Sequence, residues 1–189
     1  MELRSSAFVH HAAIPRRYTC DGEDVNPPLE FSGVPEGALS LAFIVDDPDA
    51  PAGIWVHWTL WNIAPDTRSI PEHSVPAGAV EGTTSFGKTG WGGPCPPSGE
   101  HRYFFKLYAL DAVLDLSSSA DKAALEQAMT NHTLAQAELI GLYRITRNST
   151  GRMRQSPLPW RGGREADGVG GAVIRTPTCP VLASFPQAA

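Results

Sequence analysis

The sequence predicts a mostly β domain with short peripheral helices. Three observations carry this reading. Compact apolar runs bounded by acids, prolines and glycines occupy residues 40–111, helical spacing is confined to Ser118–Leu142, and the connections between the runs are rich in proline and glycine.

Taken in order, SLAFIVDD (Ser40–Asp47) is a continuous apolar run of strand length, stopped by acids and a proline. IWVHWTLWNI (Ile54–Ile63) is a second strand, in which a period of two places His57 on one face with Trp55, Thr59 and Trp61. RYFFKLYALD (Arg102–Asp111) is the clearest. Arg102, Lys106 and Tyr108 alternate with Tyr103, Phe105 and Leu107, and His101 falls on the face of the latter three. Ser118–Asp121 resembles a capping box, followed by Leu125, Ala128 and Met129 at helical spacing. Thr133–Gln136 offers a second box, so two short helices broken near Asn131 are expected. NPPLEFSGVPEG and the 65–84 region read as connections.

The chain has 189 residues, 42 % hydrophobic and 19 % charged, which suits one globular domain with a substantial core. A formal net charge of −5 and a pI near 5.6 argue against a sequence-independent grip on nucleic acid or anionic membrane. No run approaches the roughly 18 apolar residues of a membrane span, and the first thirty residues lack the pattern of a signal peptide. Cys20, Cys95 and Cys179 are odd in number and widely spaced, which suits a reducing cytosol better than a disulfide framework. The expected location is the cytoplasm. After Arg147 the sequence turns rich in Gly, Pro and Arg without strand or helical period. The expected organisation is a domain over residues 1–147 and a flexible tail over 148–189.

Chemistry is expected where two loops meet the strands. DDPDAP (Asp46–Pro51) lies six residues before His57, and GWGGPCPPSG (Gly90–Gly99) leads directly into His101. That second loop holds four glycines and three prolines in ten residues, a backbone both permissive and stiff. If the two strands are neighbours, Asp47, Asp49, His57, His101 and Tyr103 converge at one end of the sheet, with N–H groups of Gly92, Gly93 and Cys95 at its mouth. Imidazoles, a phenol and peptide N–H groups suit a phosphate-like anion, and a carboxylate beside them fixes a histidine tautomer. Cys95, His101 and Asp47 also supply a nucleophile, a base and an orienting acid, the parts of a thiol hydrolase. A third use, His57, His101 and Asp47 as zinc ligands, has the right residue types without a pre-assembling spacing.

DDPDAPAGIWVHW together with GGPCPPSGEHRYFFKLYALD resembles the phosphatidylethanolamine-binding protein family, in its bacterial Raf-kinase-inhibitor-like branch. IPRRYTCDGEDVNPPLEFSGVPEG and AELIGLY extend the resemblance over roughly residues 8–145. It implies a β-sandwich with a large central antiparallel sheet and a small anion pocket at one end of that sheet. By residue, it implies pocket roles for Asp47 and Asp49 in the DPDxP motif, Trp55 and His57 at the strand start, and His101 and Tyr103 in the histidine–arginine signature. Gly93, Cys95 and Pro97 would form the pocket wall. Trp91 departs from the family's usual tyrosine. Of the three uses, a non-enzymatic binding protein without cofactor or metal is the leading expectation, ahead of the hydrolase and the metalloprotein. Its ligands would be small anionic or phosphorylated groups, its outlet inhibition of a protein kinase or protease, and its assembly a homodimer.

Overall fold

A computed structural model describes residues 1–145. The strands in chain order are β1 (Glu2–Arg4), β2 (Ala12–Ala13), β3 (Leu29–Ser32), β4 (Ser40–Asp47), β5 (Trp55–Ile63), β6 (Ser69–Ile70), β7 (Val80–Glu81), β8 (Glu100–Leu110) and β9 (Thr133–Arg144). A 3-10 turn spans Arg16–Tyr18, and helix α1 spans Lys122–Ala128. The segment 148–189 lies outside the described residues.

Six strands form the large sheet in the order β2-β9-β8-β4-β5-β7, antiparallel except where the two-residue β2 runs parallel to β9. A three-stranded sheet, β1-β3-β6, covers one face. Leu3, Leu29, Phe31 and Ile70 of the small sheet pack there against Phe43, Val45, Trp58, Phe105 and Leu107 of the large one. Each fully buried apolar side chain of this kind contributes about 1.5–3 kcal/mol. The opposite face carries Ala42, Ile44 and Trp61, covered by Leu114 and by Leu125 and Met129 from the α1 region. Among the described residues the fold is thus the expected β-sandwich, with one short helix outside it.

At seven residues, α1 is too short to persist alone. Asp121 caps it by accepting from the Ala124 N–H at 2.9 Å, three residues beyond the serine expected to open it. The Lys122 ammonium donates to Asp46 Oδ2 at 2.7 Å, and Lys106 donates to both oxygens of the same carboxylate at 2.9 Å. Asp46 therefore ties the helix to the sheet. Burial opposes the charge on Lys122, but Asp46 more than offsets it, and the ammonium titrates above its ordinary value.

Three expectations are corrected. The second helix does not form, because Thr133–Arg144 is a strand paired along its length with β8, from Leu110↔Thr133 to Glu100↔Arg144. Its inward positions include Ala135, Ala137 and Gly141, small residues whose alternation is weak in sequence. Gly141 is needed there, since a Cβ would collide with the Ile14 side chain and meet Phe8 at 2.9 Å. The NPPLEFSGVPEG connection contains β3, and the 65–84 region contains β6 and β7. The shared face of Trp55, His57, Thr59 and Trp61 is also broken. Val45 pairs with Trp58 and Asp46 with Val56, so His57 is the extra residue of a β-bulge. His57 stays on the face of Tyr103 while Thr59 and Trp61 turn to the helix side.

Candidate functional site

At the Asp47 end of β4, three neighbouring strands bring their functional side chains to one face. β4 contributes Asp47, β5 contributes Trp55 and His57, and β8 contributes His101 and Tyr103. Alternation on β8 is strict, so one face carries His101 and Tyr103 at the site and Phe105 and Leu107 in the core.

Asp47 and His101 are buried partners. The His101 Nδ1–H donates to Asp47 Oδ2 at 2.7 Å, while Asp47 Oδ1 accepts the Asp49 N–H at 2.8 Å. His57 is fixed twice by one residue: its Nδ1–H donates to the Gly92 carbonyl at 2.6 Å, and its own carbonyl accepts the Gly92 N–H at 3.0 Å. Nε2 is the nitrogen left for a ligand. Burial lowers the His57 pKa, against the opposing pull of the Gly92 carbonyl and of the Asp47, Asp24 and Asp46 carboxylates. Tyr103 is fully buried and its hydroxyl has no hydrogen-bond partner. Burial and the Asp47 charge push the phenol well above its ordinary value, and the Cys95 amide offsets this without reaching hydrogen-bond geometry.

These groups open into a cavity of about 360 Å³. Asp47, His57 and Tyr103 supply its polar lining. Ala50, Pro51, Ala52, Trp55, Phe86 and Pro97 supply apolar walls, with Cys95 beside them. Phe86 stands edge-on to Trp55 and His57, with ring centroids 5.4 and 5.5 Å away. A more open cleft over the small sheet, lined by Glu2, Arg4, Glu30 and Arg68 among others, holds surface charges such as the Arg4–Glu2 pair and none of the residues above.

Of the expected residues, Asp47, Trp55, His57, Cys95, Pro97 and Tyr103 line the cavity. His101 stands behind Asp47. Asp49 turns outward, where it accepts the Arg102 backbone N–H at 3.0 Å and both arms of its guanidinium at 2.9 and 2.8 Å, which holds its carboxyl at about 2. Gly93 is not a free donor at the mouth: its N–H is held by Asp24 Oδ1 at 2.7 Å. A Cβ at Gly93 would meet Asp24 at 2.5 Å and the Tyr18 carbonyl at 2.7 Å, and one at Gly92 would strike the Phe86 ring. Both glycines admit other parts of the protein, whereas Gly90 and Gly99, at φ of 90° and 73°, make turns. Trp91 packs on Trp58 and Phe105, away from the lining. Phe86 completes the wall without a sequence signal of its own, since a lone aromatic between Ser85 and Gly87 belongs to no strand or helical pattern.

The cysteines correct two readings. Cys20 and Cys95 form a disulfide, with an S–S distance of 2.07 Å. Cys95 therefore has no thiolate to offer, and the thiol hydrolase built on it falls. The inference of a reducing compartment from unpaired cysteines falls with it. Among the described residues no helix is long and apolar enough to cross a membrane, and no three His, Cys, Asp or Glu side chains are arranged to hold a metal ion.

Comparison with known proteins agrees with this geometry. The sequence model of the phosphatidylethanolamine-binding protein family matches residues 4–144. A UPF0098 protein of Methanothermobacter thermautotrophicus is 52 % identical over 149 residues, covering 76 % of this chain and 99 % of that one. The crystal structure of the phosphatidylethanolamine-binding protein homologue CT736 of Chlamydia trachomatis superposes with a TM-score of 0.74 at 41 % identity, over 77 % of this chain and 97 % of that one. That of E. coli YbcL, described as a member of the mammalian family, gives 0.73 at 33 % identity, over 77 % and 98 %. With its sequence matched almost from end to end of the sandwich and its fold matched by two solved relatives, the chain belongs to the phosphatidylethanolamine-binding protein family.

Proposed function

We propose that this chain is a non-enzymatic binding protein whose cavity takes the phosphate-like head of a small ligand, from a phospholipid head group or a phosphorylated partner. The observation that carries the reading is the Tyr103 hydroxyl, fully buried, without a partner and belonging to a residue of the cavity lining. An unpartnered buried hydroxyl costs about 1–3 kcal/mol, and a ligand oxygen accepting from it would recover that cost. His57 Nε2 is the second group left open. The apolar walls would cover the carbon part of a ligand whose head sits on the polar floor, the usual division of labour in a small-molecule site. The disulfide excludes Cys95 as a nucleophile and leaves the cavity without an activated one of that kind, which favours binding over turnover.

Calorimetric titration of the full chain with methyl phosphate near pH 6 tests this reading. Measurable binding by the parent is expected, weakened about tenfold in Tyr103→Phe and in His57→Ala. Absence of binding, or equal affinity in parent and both variants, would remove the cavity from the function.

A further inference from the structure

We infer that the cavity selects the singly charged, hydrogen-bearing form of a phosphate monoester and rejects anions that carry no proton, with Asp47 and His57 as the residues that read it. The inference rests on the phosphate reading above and deepens it. Its basis is the balance of donors and acceptors around the cavity.

Among the described residues the lining holds no lysine or arginine. Arg102, one residue from His101, is pinned outside by three hydrogen bonds to Asp49. Two of the three loop amides that could cradle an anion are already engaged, Gly92 N–H by the His57 carbonyl and Gly93 N–H by Asp24, which leaves the Cys95 N–H beside the Tyr103 hydroxyl. His57 gives its Nδ1–H to the Gly92 carbonyl, which can only accept, so in the neutral ring Nε2 is a bare lone pair. Asp47 takes one hydrogen on each oxygen, from His101 and from the Asp49 amide, and each oxygen keeps a further lone pair. The lining donors are therefore all neutral, the Tyr103 O–H, the Trp55 indole N–H and the Cys95 N–H, and they share the cavity with two acceptors, Asp47 and His57 Nε2.

A fully ionised anion in such a site meets the Asp47 charge with only neutral donors to hold it. A monoester carrying a P–OH meets it differently. Its hydroxyl donates to Asp47 or to His57 Nε2, and its phosphoryl oxygen accepts from Tyr103. Hydrogen bonds to an ionised partner are the stronger kind, and a site built to accept one discriminates against ligands that cannot supply it. The charged and titratable groups around His57 are Asp47 on β4, Asp24 in the loop before β3, His101 and Tyr103 on β8, and Asp46 across the sheet. Asp24, Asp46 and Asp47 are acids, and burial lowers the His57 pKa against their pull.

Three ligands of equal charge at pH 5 separate the proton from the charge: methyl phosphate, methyl sulfate and dimethyl phosphate, of which methyl phosphate alone keeps a hydroxyl. Titration of the full chain should show methyl phosphate binding at least tenfold more tightly than the other two. Above the ligand's second pKa of about 6 its affinity should fall about tenfold per pH unit. Comparable affinity for all three, or affinity that rises with pH, overturns the inference and leaves the phosphate reading standing. Binding of none overturns both. If affinity for methyl sulfate climbs in parallel as pH falls, protonated His57 is doing the selecting, and the inference fails. Asp47→Asn, neutral and able to donate, should cut the preference for methyl phosphate over methyl sulfate by at least fivefold. An unchanged preference in a folded variant removes Asp47 from the discrimination.

Discussion

Cys20 and Cys95 stand 75 residues apart in the chain, yet their Cα atoms are 5.4 Å apart across the junction of two loops. The link is reinforced on both sides. The Cys20 N–H donates to the Pro94 carbonyl at 3.2 Å, and the Gly93 N–H to Asp24 at 2.7 Å. One of the two loops carries the cavity wall through Cys95 and Pro97.

Replacing Cys20 or Cys95 by Ser should lower stability by about 2–4 kcal/mol, since a cross-link over so long a loop restricts the unfolded chain strongly. Denaturant melts of each variant check the value. Peptide mapping without reductant should recover the two residues in one cross-linked fragment.

Gly93→Ala should destabilise by about 1–3 kcal/mol, the cost typical of overpacking. The neighbouring atoms are the Tyr18 carbonyl and Thr19 Cα, which are main chain and cannot swing away, as well as Asp24. A chemical melt is the measurement. A neutral result would mean that the 18–24 loop yields freely.

The two buried lysine contacts of Asp46 predict that Asp46→Asn loosens the helix side of the sheet. Removing the shared anion leaves Lys122 and Lys106 without their counter-charge, but both keep some access to water, with side chains 13 % and 25 % exposed. That access reduces the penalty of a fully buried pair to about 2 kcal/mol. Hydrogen exchange should rise first in α1.

Stability should fall as the solution is acidified, in two stages. His57 is lowered in the folded state by burial, so unfolding takes up a proton. Its contribution is complete above the unfolded value of about 6.5 and declines as pH drops through the folded one. Asp49, held at about 2 by Arg102, contributes above the ordinary carboxylate value of about 3.9 and is lost on approach to pH 2. Thermal melts from pH 7 to 3 should show both limbs, the upper flattened in His57→Gln and the lower in Asp49→Asn.

How much of this was legible in the sequence depended on side-chain size and on distance along the chain. The three long central strands announce themselves because Phe43, Trp58, Phe105 and their neighbours are large and sit between turn formers. Thr133–Arg144 does not, because Ala135, Ala137 and Glu138 favour helix and the threonine imitates a cap. Pairing with eleven residues of β8 overrides that local preference. The Asp47, His57 and Tyr103 grouping is expected if the two histidine strands are neighbours; β4 stands between β5 and β8 instead, and it is β4 that brings Asp47 between them. The His57 bulge needs the register of β4, the outward turn of Asp49 needs Arg102 in place, and the Cys20–Cys95 link spans half the domain. None of these is written in a local pattern.

The extra residue at His57 has a consequence for the lengths this chain tolerates. Up to His57, β5 is read in one frame, which serves the cavity. From Trp58 to Leu60 it is read in the other, which serves the sandwich interior, before a second irregularity ahead of Ile63. Deleting one residue between Trp55 and Trp58 would merge the frames and send either the imidazole or the indole to the wrong side. The adjoining turn at residues 48–53, exposed over Ala52–Gly53, carries no such phase. Length variation on this side of the molecule should therefore collect in the turn and stop at the strand, so that the cavity's rim changes shape while its floor keeps one reading frame.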